Sequence, residues 1–278
     1  MTDRDLGKPV LVIGGTGKTG KRVASRLAAL GIPVRIGSRN AAPAFDWNNP
    51  AGWQSALDGV SAAYITYYPD LAVPGSGAAI QRLTRLALEM GVKRLVLLSG
   101  RGEPEAQHAE AILQASGADW TIVRASWFMQ NFSESLMAGP ILSGALALPA
   151  GAVREPFIDA DDIADVVTAA LTDPQHIGQI YEVTGPRLLT FGEATAEIAS
   201  ATGRSIDYHT ITPQDFMAGL RHEQTPEDLV QLINELFTVV LDGRNEYLGD
   251  GVQRALGREP RDFVQFARDG AAQGVWGG

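Results

Sequence analysis

The fold is decided by the stretch VLVIGGTGKTGKRVASRL, residues Val10–Leu27. Its first four residues are all apolar, which is typical of a strand buried on both faces of a parallel sheet. Gly14, Gly17 and Gly20 follow at intervals of three, and a helical pattern of apolar residues comes directly after them. A strand, a glycine-rich turn and a helix in this order predict a nucleotide site, in which amides at the helix start hold phosphates. A tight bend that binds no ligand is the alternative.

The spacing gives each glycine a role. We expect a side chain at Gly14 or Gly17 to collide with a pyrophosphate, and one at Gly20 to push the helix away from the strand. The pattern is G-x-x-G-x-x-G, which differs from the commoner dinucleotide motif G-x-G-x-x-G. It is not a P-loop, because Val12 occupies the position of the upstream glycine.

Strands and helices alternate up to about residue 123, which predicts an α/β fold with a doubly wound parallel sheet. The expected strands are Val10–Ile13, Val34–Ile36, Ala44–Asp46, Ala62–Thr66, Leu95–Leu98, Trp120–Val123 and Ile180–Val183. The expected helices are Lys18–Leu30, Ala51–Leu57, Ala78–Met90, Glu105–Ala115, Asp161–Thr172, Thr190–Ala201, Pro226–Leu241 and Arg261–Arg268. We place a domain boundary near residue 150: residues 1–150 form a dinucleotide-binding domain, and residues 151–278 form a mixed lobe that completes the sheet and covers the substrate.

Two local features add to the structure predicted for the second half of the chain. Thr190 and Glu193 match the capping box T-x-x-E at a helix start. The tail GAAQGVWGG is expected to fray, with Trp276 as its one residue suited to docking.

Composition excludes several classes of function. The net charge is −9 and there is no basic tract, so non-specific binding to nucleic acid is disfavoured. The chain has no cysteine and four scattered histidines, which argues against a disulfide framework and a metal site. No apolar run approaches the ~20 residues of a membrane span, and the N-terminal MTDRDLGKP lacks the apolar segment of a signal peptide. We therefore expect a cytoplasmic protein.

The end of the second strand indicates which dinucleotide is bound. An acidic residue about 20 positions after the glycines would bind a ribose 2′-hydroxyl. Here Arg39 lies 19 positions after Gly20 and follows Ser38, and a guanidinium with a hydroxyl suits a 2′-phosphate. Lys18 is a candidate second cation. NADP is thus favoured over NAD, with a solvated loop arginine as the alternative. Asp46 either accepts from the adenine amino group or caps a helix.

Further motifs resemble those of one protein family. GGTGKTG, FDW, VKRLVLLS, DWTIVRASWFMQNF and FIDADDIADV resemble the NmrA-like group of atypical short-chain dehydrogenases and reductases. RASWFMQNFSE, with FDW and YYPD, is similar to the ergot-alkaloid (agroclavine and festuclavine) dehydrogenases and their azoreductase and quinone-reductase relatives. The resemblance runs from about Val10 to Phe266. It implies a Rossmann-like core, a smaller C-terminal α/β substrate lobe and bound NADP(H), with NAD(H) also possible.

The resemblance also implies the cofactor site. The phosphates would lie at Gly14, Thr16, Gly17, Lys18, Thr19 and Gly20. The adenosine end would lie at Ser38, Arg39, Asp46 and Trp47. The cofactor would be lined further along by Thr66, Tyr67, Tyr68, Ser99 and Gly100. The nicotinamide would be walled by Ser126, Trp127 and Phe128, with Asn131 beyond.

One departure from typical short-chain enzymes bears on catalysis. Those enzymes pair a Tyr with a Lys that lowers its pKa, but the stretch after Ser99, GRGEPEAQHAEAIL, contains neither. This argues against an ordinary alcohol dehydrogenase. His108 is a candidate proton donor, or else it shapes the pocket or contacts the nicotinamide. Tyr67 and Tyr68 are the alternative donors.

Several residues allow both a site role and a packing role. Trp127, Phe128 and Phe132 could stack on a flat substrate, with Asn131 beside it, or could simply pack in the core. Core packing is favoured over a pocket role for Met129 and Met137. Capping and helix-dipole roles are favoured over paired catalytic carboxylates for Asp159, Asp161 and Asp162. The sequence does not decide whether a further apolar group forms a lid over the substrate, the core of the lobe or a dimer face. This group comprises Phe216, Met217, Leu220, Leu232, Phe237 and Val240.

The sequence as a whole favours an NADPH-dependent reductase that delivers hydride to a small electron-poor acceptor of imine, activated C=C, azo or quinone type. Such acceptors need less acid assistance than a ketone. The main alternative is a non-catalytic sensor of NADP(H) that binds a protein partner, and an epimerase is a third. We expect a small organic substrate and a monomer or homodimer.

Overall fold

The computed structural model describes residues 7–277. Its strands are β1 (Val10–Ile13), β2 (Val34–Gly37), β3 (Ala62–Ile65), β4 (Arg94–Gly100), β5 (Asp119–Ala125), β6 (Ala145–Leu148), β7 (Arg154–Glu155), β8 (Gln179–Val183), β9 (Leu189–Thr190) and β10 (Asp207–Thr210). Its α-helices are α1 (Lys18–Ala29), α2 (Trp53–Leu57), α3 (Ser76–Glu89), α4 (Pro104–Gln114), α5 (Ala138–Ser143), α6 (Ala160–Thr172), α7 (Phe191–Thr202), α8 (Pro213–His222), α9 (Glu227–Glu235), α10 (Gly251–Leu256) and α11 (Phe263–Ala272).

The chain forms two compact units, each discontinuous in sequence. The first unit comprises the described residues up to Ala125, with Ala160–Val183 and Asp250–Arg258. The second comprises Ser126–Asp159, Thr184–Gly249 and the described residues from Glu259 onward. The functional division of the chain at residue 150 stays a prediction.

The first unit is built on a six-stranded parallel sheet of order β2-β1-β3-β4-β5-β8. Within this unit α1 packs on α6 and α3 packs on α4. Every residue of β1 and β3 is buried, as expected for all-apolar strands in a parallel sheet covered by helices. The strand order reverses between β1 and β3, whose carboxyl ends therefore border the position where doubly wound folds bind ligands. The predicted fold class is confirmed.

Most predicted elements of the first unit are confirmed to within two residues at each end, but the expected strand Ala44–Asp46 is wrong. The backbone N–H of Phe45 donates to the carbonyl of Ser38 at 2.9 Å. The segment therefore turns back on the end of β2 and forms no sheet ladder.

The second unit has its own apolar core and two small sheets, β6 with β10 and β7 with β9. The capping box of α7 is confirmed: Thr190 Oγ1 accepts from the Glu193 N–H at 3.0 Å, and Glu193 Oε2 accepts from the Thr190 N–H at 2.8 Å. The expected long helix ends early, since α9 stops at Glu235 and a π-helical segment, Leu236–Val240, follows it. The sequence did not indicate β6, β7, β9, β10, α5, α8 or α10.

The expectation of a frayed tail is wrong for the part that the structure describes. Trp276 is fully buried, and its indole N–H donates to the Phe132 carbonyl at 2.8 Å. Within residues 7–277, no helix has the length and apolar character needed to cross a membrane, and no cluster of metal-ligating side chains is present.

Candidate functional site

The glycine turn joins β1 to α1 at the point where the strand order reverses. Gly14 has a φ of +71°, a left-handed conformation that favours glycine. A Cβ at Gly14 would lie 2.2 Å from Thr66 Oγ1, which itself donates to the Ile13 carbonyl at 3.0 Å. The bend and Thr66, within the protein's own fold, therefore already require a glycine at this position, and the collision with a pyrophosphate stays a prediction.

The other two glycines, Gly17 and Gly20, differ in their surroundings. A Cβ at Gly20 would lie 2.1 Å from the Gly14 carbonyl oxygen, so the predicted close approach of helix and turn is confirmed. A Cβ at Gly17 would meet only that same oxygen, at 3.2 Å, and Gly17 is exposed. Gly17 is thus an exposed position of the turn, where an added Cβ would meet a single backbone oxygen.

The start of α1 has the features of an anion site. Gly17 is its N-cap, makes no side-chain capping bond, and the first turn carries no acidic residue. Thr16 is exposed and Lys18 is half-buried at the same end. Amides and the dipole at a helix start attract phosphate. The turn therefore fits the diphosphate of a dinucleotide.

Thr19 lies differently from its neighbours in the motif. Its side chain is buried, and its hydroxyl accepts from the phenol of Tyr64 at 3.0 Å. Burial raises the pKa of Tyr64, so this phenol stays protonated as the donor. The Thr19 hydroxyl is thus engaged as an acceptor inside the fold, and its predicted phosphate contact stays a prediction.

The end of β2 presents a cation. Arg39 is exposed, and among residues 7–277 no carboxylate lies within ion-pair distance of it. Its guanidinium carbon lies 5.6 Å from the ring centroid of Tyr68, which follows β3. Ser38 is half-buried, and its carbonyl accepts from the Ala41 and Phe45 amides. Arg39 is thus available to an anionic ligand.

An aromatic cluster supports the loops after β2 and β3. Trp47 contacts Tyr67 with ring centroids 4.7 Å apart and Trp53 at 5.4 Å, and its indole N–H donates to the Thr66 carbonyl at 3.1 Å. Asp46 Oδ1 accepts from the Asn48 N–H at 2.9 Å, which is a local turn contact. The adenine role of Asp46 stays a prediction, and its turn role is observed.

A buried ionic network occupies the carboxyl ends of β4, β5 and β8. The Ser99 hydroxyl donates to Glu110 Oε1 at 2.6 Å, and Arg124 Nε donates to the same oxygen at 2.9 Å. A second guanidinium nitrogen of Arg124 binds Glu110 Oε2. Pairing with Glu110 raises the pKa of Arg124. Ser99, predicted to contact the cofactor, therefore has its one hydroxyl proton committed to Glu110.

The network continues along the sheet edge. Glu182 on β8 accepts from Arg124 at 3.4 Å and from Arg101 Nε at 2.9 Å, and Arg101 is buried. A Cβ at Gly100 would lie 2.1–2.2 Å from the Glu103 carboxyl group, so that the end of the Glu103 side chain would have to move to admit another residue. This network was not predicted from the sequence; its signal was a glutamate in the helix after β4 and an arginine within β5.

The candidate proton donors lie in different surroundings. His108 is exposed on α4, and its Cδ2 lies 2.9 Å from where a Cβ on Gly77 would stand, so its ring packs against the first turn of α3. Tyr67 is half-buried beside Trp47, and burial raises its pKa. Tyr68 is 68% exposed. The structure does not bring these three side chains into one catalytic cluster.

The residues predicted at the nicotinamide and substrate belong to the second unit. Ser126 is buried, and its hydroxyl donates to the Pro156 carbonyl at 2.6 Å. Trp127 is half-buried, with ring centroids 4.9 Å from Phe237 and 5.4 Å from Phe191. Phe128 and Asn131 are also half-buried. Both Trp127 and Phe128 thus keep some exposed surface.

Phe132 requires a correction. It is fully buried, and its ring packs against Phe157, Phe191 and Phe263 in the second unit. Core packing, the alternative considered from the sequence, accounts for it, and stacking on a substrate does not. The same unit's core also contains Met129, Met137, Phe216, Leu220 and Phe237.

The acidic cluster before and within α6 has structural partners. Asp161 accepts from Arg22 at 3.2 Å and from Arg26 at 2.7 Å, which ties α6 to α1 within the first unit. Asp162 is fully buried and pairs with Arg258 at 2.7 Å. Asp161 and Asp162 lie in the first turn of α6, as predicted, where the helix dipole favours negative charge. Within the second unit, Asp159 accepts from Gln130 at 2.8 Å.

Comparison with known proteins finds one family. A family model described as the NmrA-like family matches residues 7–266. The NAD(P)H azoreductase of Xenophilus azovorans is 31% identical, over 95% of this chain and 98% of that protein. The agroclavine dehydrogenase of Claviceps fusiformis is 30% identical, over 96% of this chain and 98% of that protein.

Solved structures share the fold at lower identity. The NADPH-dependent quinone oxidoreductase QOR2 of Escherichia coli, complexed with NADPH, aligns with a TM-score of 0.75 at 21% identity, over 94% of this chain and 99% of that one. The negative transcriptional regulator NmrA, complexed with NAD, aligns with a TM-score of 0.67 at 16% identity, over 94% and 95%. At these identities the likeness concerns the fold alone.

Proposed function

The chain belongs to the NmrA-like family, as its motifs predicted, and on this basis we propose that it is an NADPH-dependent reductase of small electron-poor organic acceptors. The observation that carries the proposal is the glycine turn at the reversal of strand order. There Gly17 is exposed at the start of α1, whose first turn carries no acidic residue, and Arg39, which has no carboxylate partner among residues 7–277, follows the neighbouring strand β2. A diphosphate and a 2′-phosphate are the groups that this arrangement suits.

The residues of the first unit would bind the cofactor in a fixed order along the sheet edge. The amides at the start of α1 hold the diphosphate, with Lys18 beside them. Arg39 and Ser38 hold the 2′-phosphate, and Trp47 with Tyr67 supports the loops on the adenosine side. Reduced nicotinamide supplies hydride when it is bound.

The surroundings of Ser99 favour a particular class of acceptor. In this chain the Ser99 hydroxyl donates to Glu110, and the segment after it holds an ion-paired carboxylate instead of a Tyr and a Lys. The Tyr and Lys pair with which typical short-chain enzymes protonate a ketone oxygen is therefore missing from this segment. Iminium, azo, quinone and activated alkene acceptors delocalise the incoming charge or are already cationic, so positioning does most of the work. We assign the acceptor contact to the half-buried Trp127 and Phe128.

Two relatives support a reductase of this kind. The names of the azoreductase and the agroclavine dehydrogenase concern an azo compound and an alkaloid respectively. Both proteins match nearly their full length, so the whole catalytic unit is comparable.

The test is NADPH oxidation at 340 nm by the purified protein with a panel of quinones, azo dyes, cyclic imines and activated alkenes, and with simple ketones as the contrasting class. We expect turnover with at least one electron-poor acceptor and none with the ketones. Tight binding of NADPH with no turnover across the panel would favour the sensor alternative and refute the reductase.

A further inference from the structure

We propose that Tyr68 determines cofactor specificity: its ring holds the guanidinium of Arg39 in position for the 2′-phosphate of NADPH. The inference rests on the proposed function and deepens it. It gives Tyr68 a role in binding, in place of the proton-donor role considered from the sequence.

The contact between the two side chains is the first step. The Arg39 guanidinium carbon lies 5.6 Å from the centroid of the Tyr68 ring, within the distance of a cation–π interaction. Tyr68 is 68% exposed, more than any other large apolar side chain of residues 7–277. Burial in the core therefore does not hold this ring in place, and its aromatic face is available to the cation.

The contact with Tyr68 uses the charge of Arg39 and none of its hydrogen-bond donors. A cation–π attraction acts between the positive charge and the face of the ring, and that face offers the guanidinium N–H groups no oxygen acceptor. A carboxylate partner would occupy those N–H groups, as Glu110 does for Arg124. Arg39 has no such partner among residues 7–277. The ring therefore orders the long side chain without using the bonds that a phosphate needs.

The sheet explains why these residues meet. Arg39 follows β2 and Tyr68 follows β3, and these two strands flank β1. The neighbouring Tyr67 packs on Trp47, which fixes the start of the loop that carries Tyr68. The 2′-phosphate and the nicotinamide ring lie at opposite ends of a dinucleotide bound across such a sheet. A ring engaged with Arg39 therefore belongs to the adenosine end and lies away from hydride transfer.

A double-mutant cycle tests the inference. Dissociation constants for NADPH and NADH are measured by calorimetry for wild type, Tyr68→Leu, Tyr68→Phe, Arg39→Ala and the double variant Arg39→Ala with Tyr68→Leu. We expect Tyr68→Leu to weaken NADPH about two- to fivefold, the effect of an exposed cation–π contact, and to leave NADH unchanged. Tyr68→Phe should bind NADPH like wild type, because it keeps the aromatic face. Tyr68→Leu should have no further effect once Arg39 is alanine.

The outcomes separate this inference from the proposed function. Equal weakening of NADPH and NADH by Tyr68→Leu would mean that the ring contacts the adenosine directly, and would overturn the role assigned here. A fall in kcat for Tyr68→Phe at unchanged affinity would identify a proton donor and would also overturn it. Tyr247→Leu, at an exposed tyrosine of the second unit, is the matched control. Failure of wild type to bind either nucleotide would instead refute the proposed function itself.

Discussion

Replacement of Gly20 by alanine tests the packing of the turn against α1. The added Cβ would lie 2.1 Å from the Gly14 carbonyl oxygen, 2.7 Å from the Gly14 carbonyl carbon and 2.8 Å from the Gly15 Cα, whereas ordinary contact begins near 3.4 Å. All three neighbours are backbone atoms, so no flexible side chain can move aside. The start of α1 must shift by about 1 Å or more, which is an overpacking problem.

The magnitude follows from two opposing terms. Alanine is favoured over glycine within a helix by about 1 kcal/mol, while overpacking of a well-packed site costs about 1–3 kcal/mol, here toward the upper end because backbone is displaced. We expect Gly20→Ala to lower the free energy of unfolding by about 1–2 kcal/mol. Loss of one amide bond to a charged phosphate, about 1.5–3 kcal/mol, should weaken NADPH binding by about one to two orders of magnitude.

The assay is urea unfolding followed by circular dichroism, with NADPH titrations on the same preparations. Gly219→Ala in α8 is the control, because nothing lies within 4 Å of its added Cβ and the residue is exposed. The control should gain up to about 1 kcal/mol from helix propensity and bind NADPH normally. A Gly20→Ala protein as stable as the control, with wild-type affinity, would refute the geometry described for the turn.

Three further perturbations test other parts of the molecule. Arg39→Asp should weaken NADPH at least about tenfold and favour NADH, because a carboxylate repels the 2′-phosphate; unchanged NADPH affinity in a titration would disprove the assignment. Glu110→Gln should lower the free energy of unfolding by about 2–3 kcal/mol. This is at the low end for a broken buried ion pair, because Arg124 keeps its contact with Glu182. A variant with the urea midpoint of wild type would show that the Glu110–Arg124 pair does not stabilise the fold. Pairing with Arg187 holds the pKa of Asp262 below its ordinary value, so the stabilisation is present above pH ~3.9 and is lost as the pH falls through the lower, folded pKa. Asp262→Asn should flatten this part of an acid-unfolding curve, and an unaltered curve would refute the linkage.

Local patterns predicted most of the first unit. The apolar run Val10–Ile13 and the helical spacing after Gly20 depend only on neighbouring residues, and both elements form where they were expected. The error at Ala44–Asp46 arose because the backbone of Phe45 is bound by Ser38, a contact made by a turn and invisible in the hydropathy pattern.

From the sequence, the candidate site was predictable only in the parts that are formed by residues close together along the chain. Gly17 and Arg39 could be proposed from spacing, because Gly17 is the N-cap of α1 and Arg39 follows β2 by two residues, and their ligand roles stay predictions. The pairing of Glu110 with Arg124 depends on β5 lying next to β4, and that register is a property of the folded sheet. Phe132 was ambiguous for the same reason, since the aromatic rings that enclose it come from distant parts of the chain.

Binding of a dinucleotide at the glycine turn is best measured by calorimetric titration of the wild-type protein with NADPH and with NADH under the same conditions. If the exposed backbone at Gly17 holds a diphosphate and Arg39 holds a 2′-phosphate, NADPH binds with a measurable heat and at least about tenfold more tightly than NADH. If neither nucleotide gives a binding heat or raises the melting temperature, the glycine turn is only a bend and the protein is not a dinucleotide-dependent enzyme or sensor.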